Sequence, residues 1–152
     1  MKLSELFGEN GIVLDFAPGT KDDLLERILR DLDAKGMIKD CDHALRDVLE
    51  REKVMSTGIG SGVAIPHAYT DGVDRLVAGF YRTQKGVDFA ALDGGDVDLF
   101  FIILGPKASR RDHIKVLAKI SRLLNHSDFR EELRKAADVE DVFAVFKRFG
   151  DR

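Results

Sequence analysis

The segment VDLFFIIL, residues 97–104, constrains the fold of this chain more than any other stretch. Successive side chains of a strand point to opposite faces, so a nearly unbroken apolar run implies a strand covered on both. It is far too short to cross a bilayer, which takes about 20 apolar residues in a helix. Covering layers are legible on either side of it. A short strand is expected at residues 12–16, followed by the turn residues Pro18 and Gly19. Leu24, Leu25, Ile28, Leu29 and Leu32 then recur at helical spacing, with Thr20 as the expected N-cap, Asp23 three residues on, and Gly36 as the stop. A second helix fits residues 40–53, with Cys41, Leu45, Val48 and Leu49 facing inward. Further strands are expected at 63–65, 76–83 and 87–89, with turns at Asp71-Gly72, Lys85-Gly86 and Gly94-Gly95. After Gly105-Pro106 the helical period returns, in 109–124 with Ser109 and Asp112 as a cap, in 127–137 and in 139–149. The expected architecture is α/β. It is a three-layer sandwich in which a mixed parallel and antiparallel sheet of about five strands is flanked by helices on both faces, in one domain of residues 1–152.

Composition narrows the function classes. A length of 152 residues with 44% hydrophobic content allows a full-sized core. A net charge of -3 argues against non-specific nucleic-acid binding, which needs a basic surface. Cys41 is the only cysteine, which excludes an internal disulfide framework and suits a reducing compartment. In the opening MKLSELFGEN, Glu5 and Glu9 stand where a signal peptide would need an apolar region. The expectation is a cytoplasmic protein without membrane insertion.

The chemistry concentrates in TGIGSGVAIPHAYTDG, residues 57–72. Gly58, Gly60 and Gly62 are spaced G-x-G-x-G, but Val63 fills the place of a dinucleotide fingerprint's third glycine, and the P-loop pattern is absent. Two helices also precede this loop, where a nucleotide fold would place it after its first strand. Such a backbone could cradle an anion; a tight turn that needs positive φ explains it more simply. Of the four histidines, His43 shares a charged helical stripe with Asp47 and Glu50, and His126 lies between two helices. His67 is distinctive because Pro66 fixes the backbone entering it. His113 is distinctive because it shares the phase of Leu117, Ile120 and Leu124, which directs its imidazole along a buried stripe from the first turn of its helix. Free N–H groups and the helix dipole there favour an anion, although a core histidine satisfied by backbone fits the same pattern. Arg51 can bind a phosphoryl group at two points, although a surface charge on a charge-rich helix explains it more simply. No histidine, cysteine or carboxylate set has metal-ligand spacing, so neither a metal nor a cofactor is expected.

Arg51-Glu52, Ser56-Thr57-Gly58-Ile59-Gly60, Gly62 and Ala64-Ile65-Pro66-His67 together resemble the signature of the type-2 IIA domains of the bacterial phosphoenolpyruvate-dependent phosphotransferase system. These comprise the fructose/mannitol class and nitrogen-regulatory relatives. His113-Ile114, Leu117-Ala118 and Ile120 are similar to the family's second motif, and the likeness extends over essentially the whole chain. Ser61 departs from the pattern, where asparagine is common. The resemblance implies a phosphotransferase component in which His67 carries the phosphoryl group on Nε2, with His113 and Arg51 around it. Thr57, Gly58, Gly60 and Gly62 are then expected to bring backbone to that group. The implied donor is HPr or its nitrogen-type counterpart. The implied downstream partner is a IIB domain, in sugar uptake, or a regulated transporter or kinase, in nitrogen regulation. Because the chain carries no fused IIB or membrane segment, the nitrogen-regulatory role is the expected one and the sugar-specific role the alternative.

Overall fold

The computed structural model describes residues 2–151. Its helices are α1 (Leu3–Leu6), α2 (Lys21–Ala34), α3 (Cys41–Val54), α4 (Arg110–Leu124), α5 (Ser127–Lys135) and α6 (Val139–Gly150). Its strands are β1 (Ile12–Phe16), β2 (Gly58–Gly60), β3 (Val63–Ala64), β4 (His67–Tyr69), β5 (Val77–Val87) and β6 (Val97–Gly105). The sheet runs β1-β5-β6-β3-β2, and β4 continues beside β6 beyond β3. β1–β5, β3–β6 and β4–β6 are parallel, whereas β5–β6 and β2–β3 are antiparallel.

The apolar run is β6, and its alternation divides the core in two. Phe100, Ile102 and Leu104 pack with Leu25, Ile28 and Leu32 of α2 and Ala44 and Val48 of α3. Leu99, Phe101 and Ile103 face the opposite layer, with Val116 and Ile120 of α4, Phe129 of α5 and Phe146 of α6. All six of these β6 side chains are fully buried, which is why the sequence could carry no polar residue there. The three-layer sandwich and the mixed sheet stand as expected, with six strands where about five were anticipated.

Local differences have local causes. Thr20 makes no side-chain cap bond; the Asp23 carboxylate expected to support it is held by Arg27 Nε at 2.9 Å. Ser109 does not cap α4 either, because a 3-10 turn, Lys107–Ser109, runs straight into the helix. Asp40 does cap α3, accepting from the His43 N–H at 3.1 Å. The strand expected at 87–89 is not separate: β5 continues through Lys85-Gly86 to Val87, with an irregular register between Arg82 and Val87. Val116 takes the fully buried place assigned to Leu117, which is half-buried, as is Leu49.

Gly72 joins the chain after β4 to α3. Its carbonyl accepts from the N–H groups of Lys39 and Asp40, both at 2.9 Å. A Cβ there would meet the Asp40 oxygen at 2.7 Å and Ala44 N at 2.8 Å, which are backbone atoms that cannot swing away. Gly72→Ala is therefore expected to destabilise the fold by about 1–3 kcal/mol, as overpacking does, measured by chemical denaturation.

Candidate functional site

β4 lies at the sheet margin, its residue His67 level with Ile103 of β6. Ala68 points into the α2/α3 core, so by strand alternation His67 and Tyr69 point the other way, towards α4. A cleft of about 370 Å³ opens above them, walled by Glu50, Arg51 and Val54 of α3 and Leu117 of α4. His113, in the first turn of α4, lies behind it with no exposure. The His67 and His113 ring centroids are 5.9 Å apart. Tyr69 packs 4.4 Å from the His113 ring on one side, and Arg110 covers Tyr69 with its Cζ 4.7 Å from the ring centre. Gly105 leaves room for the imidazole: a Cβ there would stand 3.1 Å from His113 Nδ1.

The two imidazoles are held differently. His67 Nδ1 lies 2.7 Å from the Ile65 carbonyl oxygen. A carbonyl can only accept, so Nδ1 carries the proton and Nε2 keeps the lone pair. Burial pushes the His67 pKa below its ordinary 6.5 and the Arg51 charge adds to this, while the Ile65 hydrogen bond opposes it. The result is a neutral ring with its free nitrogen available. Neither nitrogen of His113 has a hydrogen-bond partner among the described residues. Burial, helped by repulsion from His67, lowers its pKa to about 4. An unsatisfied buried polar group costs free energy of about 1–3 kcal/mol. Arg51 Nη1 donates to Met55 O at 3.0 Å, and the guanidinium borders the same cleft.

The four glycine-segment positions fall elsewhere. Val63 is level with Leu99 and His67 with Ile103; four residues of strand separate these levels, about 13 Å. Gly60 and Gly62 thus form a hairpin turn remote from His67, with φ of 103° and 78°. Asp93 accepts from the Ser61 N–H at 3.1 Å and Arg134 donates to Ser61 O at 2.7 Å, pinning the turn. Gly58 packs against Ala91, and its N–H donates to Ser56 Oγ at 3.1 Å. Thr57 is buried, with its N–H and hydroxyl both donating to Glu52. The structure brings His67, His113 and Arg51 together and leaves Thr57, Gly58, Gly60 and Gly62 in the scaffold beneath or beyond them.

Two features around the site had no assigned role in the sequence reading. Tyr69 stacks on His113 and Arg110 on Tyr69, and no spacing rule would have grouped them. Glu52 is the other, buried in the last turn of α3 and paired with Lys21 Nζ at 2.7 Å. A carboxylate at the negative end of a helix dipole is unfavourable unless partnered, and that was its available signal. Among the described residues no three His, Cys, Asp or Glu side chains cluster as metal ligands would. No described helix is long and apolar enough to cross a membrane.

Residues 5–149 match the family described as phosphoenolpyruvate-dependent sugar phosphotransferase system, EIIA 2. The chain is 41% identical over 136 residues to the "PTS system fructose-specific EIIA component" of Haloferax volcanii, covering 88% of each. It is 30% identical over 145 residues to the "Nitrogen regulatory protein" of Pseudomonas aeruginosa, covering 95% of this chain and 94% of that one. Among solved structures, the nitrogen regulatory protein IIA-Ntr of Neisseria meningitidis superposes with a TM-score of 0.83 at 33% identity, over 94% of this chain and 97% of the other.

Proposed function

The chain belongs to the EIIA 2 family of the phosphoenolpyruvate-dependent sugar phosphotransferase system, and from that premise we propose that His67 is its phosphoryl acceptor. The observation that carries this reading is the 2.7 Å contact between His67 Nδ1 and Ile65 O, which commits the free lone pair to Nε2. In the forward step that lone pair attacks the phosphorus of a phosphohistidine on an HPr-type carrier. The donor N–P bond breaks, its electron pair returns to the carrier's imidazole, and the Nδ1 proton stays shared with Ile65 O. Such transfer needs positioning and charge stabilisation more than strong acid–base chemistry. Arg51 supplies a fixed cation, and His113 supplies a neutral ring whose N–H can turn to the phosphoryl oxygens. Charged hydrogen bonds of this kind are worth about 1.5–3 kcal/mol each.

The protein is expected to take acid-labile phosphate on His67 when incubated with phosphoenolpyruvate, enzyme I and an HPr-type carrier. His67→Ala should take none, and retained phosphate in that variant would overturn the assignment. With saturating phosphorylated carrier, single-turnover acceptance should stay level as pH falls through 6.5 and decline only below it, because the lowered pKa keeps Nε2 unprotonated. A rate already halved at 6.5 would contradict this.

Downstream we favour a cytoplasmic regulatory role, in which the phosphorylation state of His67 controls binding to a transporter or kinase by changing local charge. Its support is the similarity to nitrogen regulatory proteins at 30% and 33% identity over nearly the whole chain. The 41% identity to a fructose-specific component favours the alternative, delivery of phosphate to a IIB domain in sugar uptake. Comparing phosphorylation rates by sugar-type and nitrogen-type HPr separates them: the regulatory reading expects faster transfer from the nitrogen-type carrier.

A further inference from the structure

Both His67 and Arg51 are tied to one short connection, residues 55–57 between α3 and β2. Arg51 Nη1 donates to Met55 O at 3.0 Å. Two residues further on, Thr57 O accepts from the Ile65 N–H at 3.0 Å, and the Ile65 carbonyl in turn accepts from His67 Nδ1. The connection itself is held from inside the fold. The Thr57 N–H lies 3.2 and 3.3 Å from the two Glu52 carboxylate oxygens, and the Thr57 hydroxyl donates to Glu52 Oε1. Glu52 Oε2 pairs with Lys21 Nζ at 2.7 Å. Lys21 comes from the first turn of α2 and sits 4.5 Å over the Phe89 ring.

A buried charge of this kind is a poor source of net stability, since desolvation offsets much of the ion pair. Its hydrogen bonds are directional, however, and together they hold Thr57, through its N–H and its hydroxyl, in the segment whose carbonyls the site residues use. Such supporting partners orient the groups that act. We infer that Glu52 is a positioning residue: by clamping Thr57 it sets the Ile65 carbonyl that holds His67 in its Nδ1–H tautomer, and the Met55 carbonyl that aims Arg51. The inference rests on the proposal that His67 Nε2 accepts phosphate, but its first consequence is visible in the unphosphorylated protein.

The test is ¹⁵N-detected NMR of the His67 ring at neutral pH, alongside single-turnover acceptance from phosphorylated carrier. In the native chain the Nδ1–H tautomer should predominate. In Glu52→Ala the share of the Nε2–H tautomer should rise and acceptance fall by about 10–100-fold, the usual cost of losing an orienting partner. Glu52→Gln keeps an acceptor for Thr57 while losing the pair with Lys21, so it should restore both readouts towards native values. If Glu52→Ala does not fold, Thr57→Val removes the hydroxyl donor alone and should move both in the same direction by less. A folded Glu52→Ala or Thr57→Val protein with a lower melting temperature but an unchanged tautomer and rate would overturn the inference, leaving Glu52 a structural ion pair. A shifted tautomer in a chain whose His67 accepts no phosphate would sustain the positioning role and defeat the phosphocarrier reading instead.

Discussion

Phe101→Ala is expected to destabilise the protein by about 3–5 kcal/mol and to lower its melting temperature by about 10 °C. Phe101 is fully buried at the middle of β6. Its ring meets Phe80 at 4.9 Å and Phe7 at 5.9 Å between centroids, with Phe146 at 6.4 Å and Phe129 at 6.5 Å. These neighbours come from β5, from the residue that ends α1, and from α6 and α5, so the lost side chain is shared by four separate parts of the chain. Partial collapse of one of them cannot fill the void, and the unfilled volume adds to the lost transfer free energy. Urea denaturation of the two proteins at pH 7 checks this. A loss under about 1 kcal/mol would mean that the layer repacks, as volume-conserving changes permit. The half-buried Phe143 of α6 is the comparison site, where truncation should cost less.

The second large effect is acid lability with a known source. Above pH 6.5 His113 is neutral in both folded and unfolded chains and contributes no pH dependence. Between 6.5 and about 4 the unfolded chain binds a proton that the buried ring refuses, so stability falls as pH falls. Below about 4 the penalty is complete, and the gap between the two pKa values corresponds to about 3 kcal/mol. Carboxylates also titrate in this window, so the diagnostic quantity is a difference between proteins. Wild type should lose about 3 kcal/mol more than His113→Leu between pH 7 and pH 4, by denaturation at each pH. Equal losses would show that the ring is hydrated and not constrained as described. His67, whose pKa is also lowered by burial, acts in the same direction in both proteins.

The same lability bears on function. A ring that refuses a proton while the cleft is empty changes state most readily when a dianion enters, since opposite charge favours the protonated form. If His67 accepts phosphate as proposed, His113 is the neighbouring ring whose protonation that charge would favour.

Much of the architecture was legible because it follows from periodicities of two and 3.6. Residues 97–104 could only be a doubly covered strand, and the leucine stripe of α2 could only be one of its covers. The motif residues His67, His113 and Arg51 were identifiable as residue types at a spacing, and a resemblance gave them roles. The glycines left two readings open for a physical reason. Positive φ at Gly60 and Gly62 is demanded equally by an anion cradle and by a hairpin turn, and only the register of β3 and β4 on β6 separates the two by position.

What the sequence by itself determined is the inventory: a two-faced central strand, the helices that cover it, and a histidine entered through Pro66. Tertiary structure alone decided the tautomer of His67, the lack of a hydrogen-bond partner for either nitrogen of His113 among the described residues, and the partnership of Lys21 with Glu52. Each of these depends on groups that chain position does not relate, namely the Ile65 carbonyl turned back on its own strand end, the Tyr69 ring laid against α4, and an ammonium carried in from α2. Periodicity reports which face a residue occupies. Hydrogen bonds act over about 3 Å, and only the packed chain brings their partners that close.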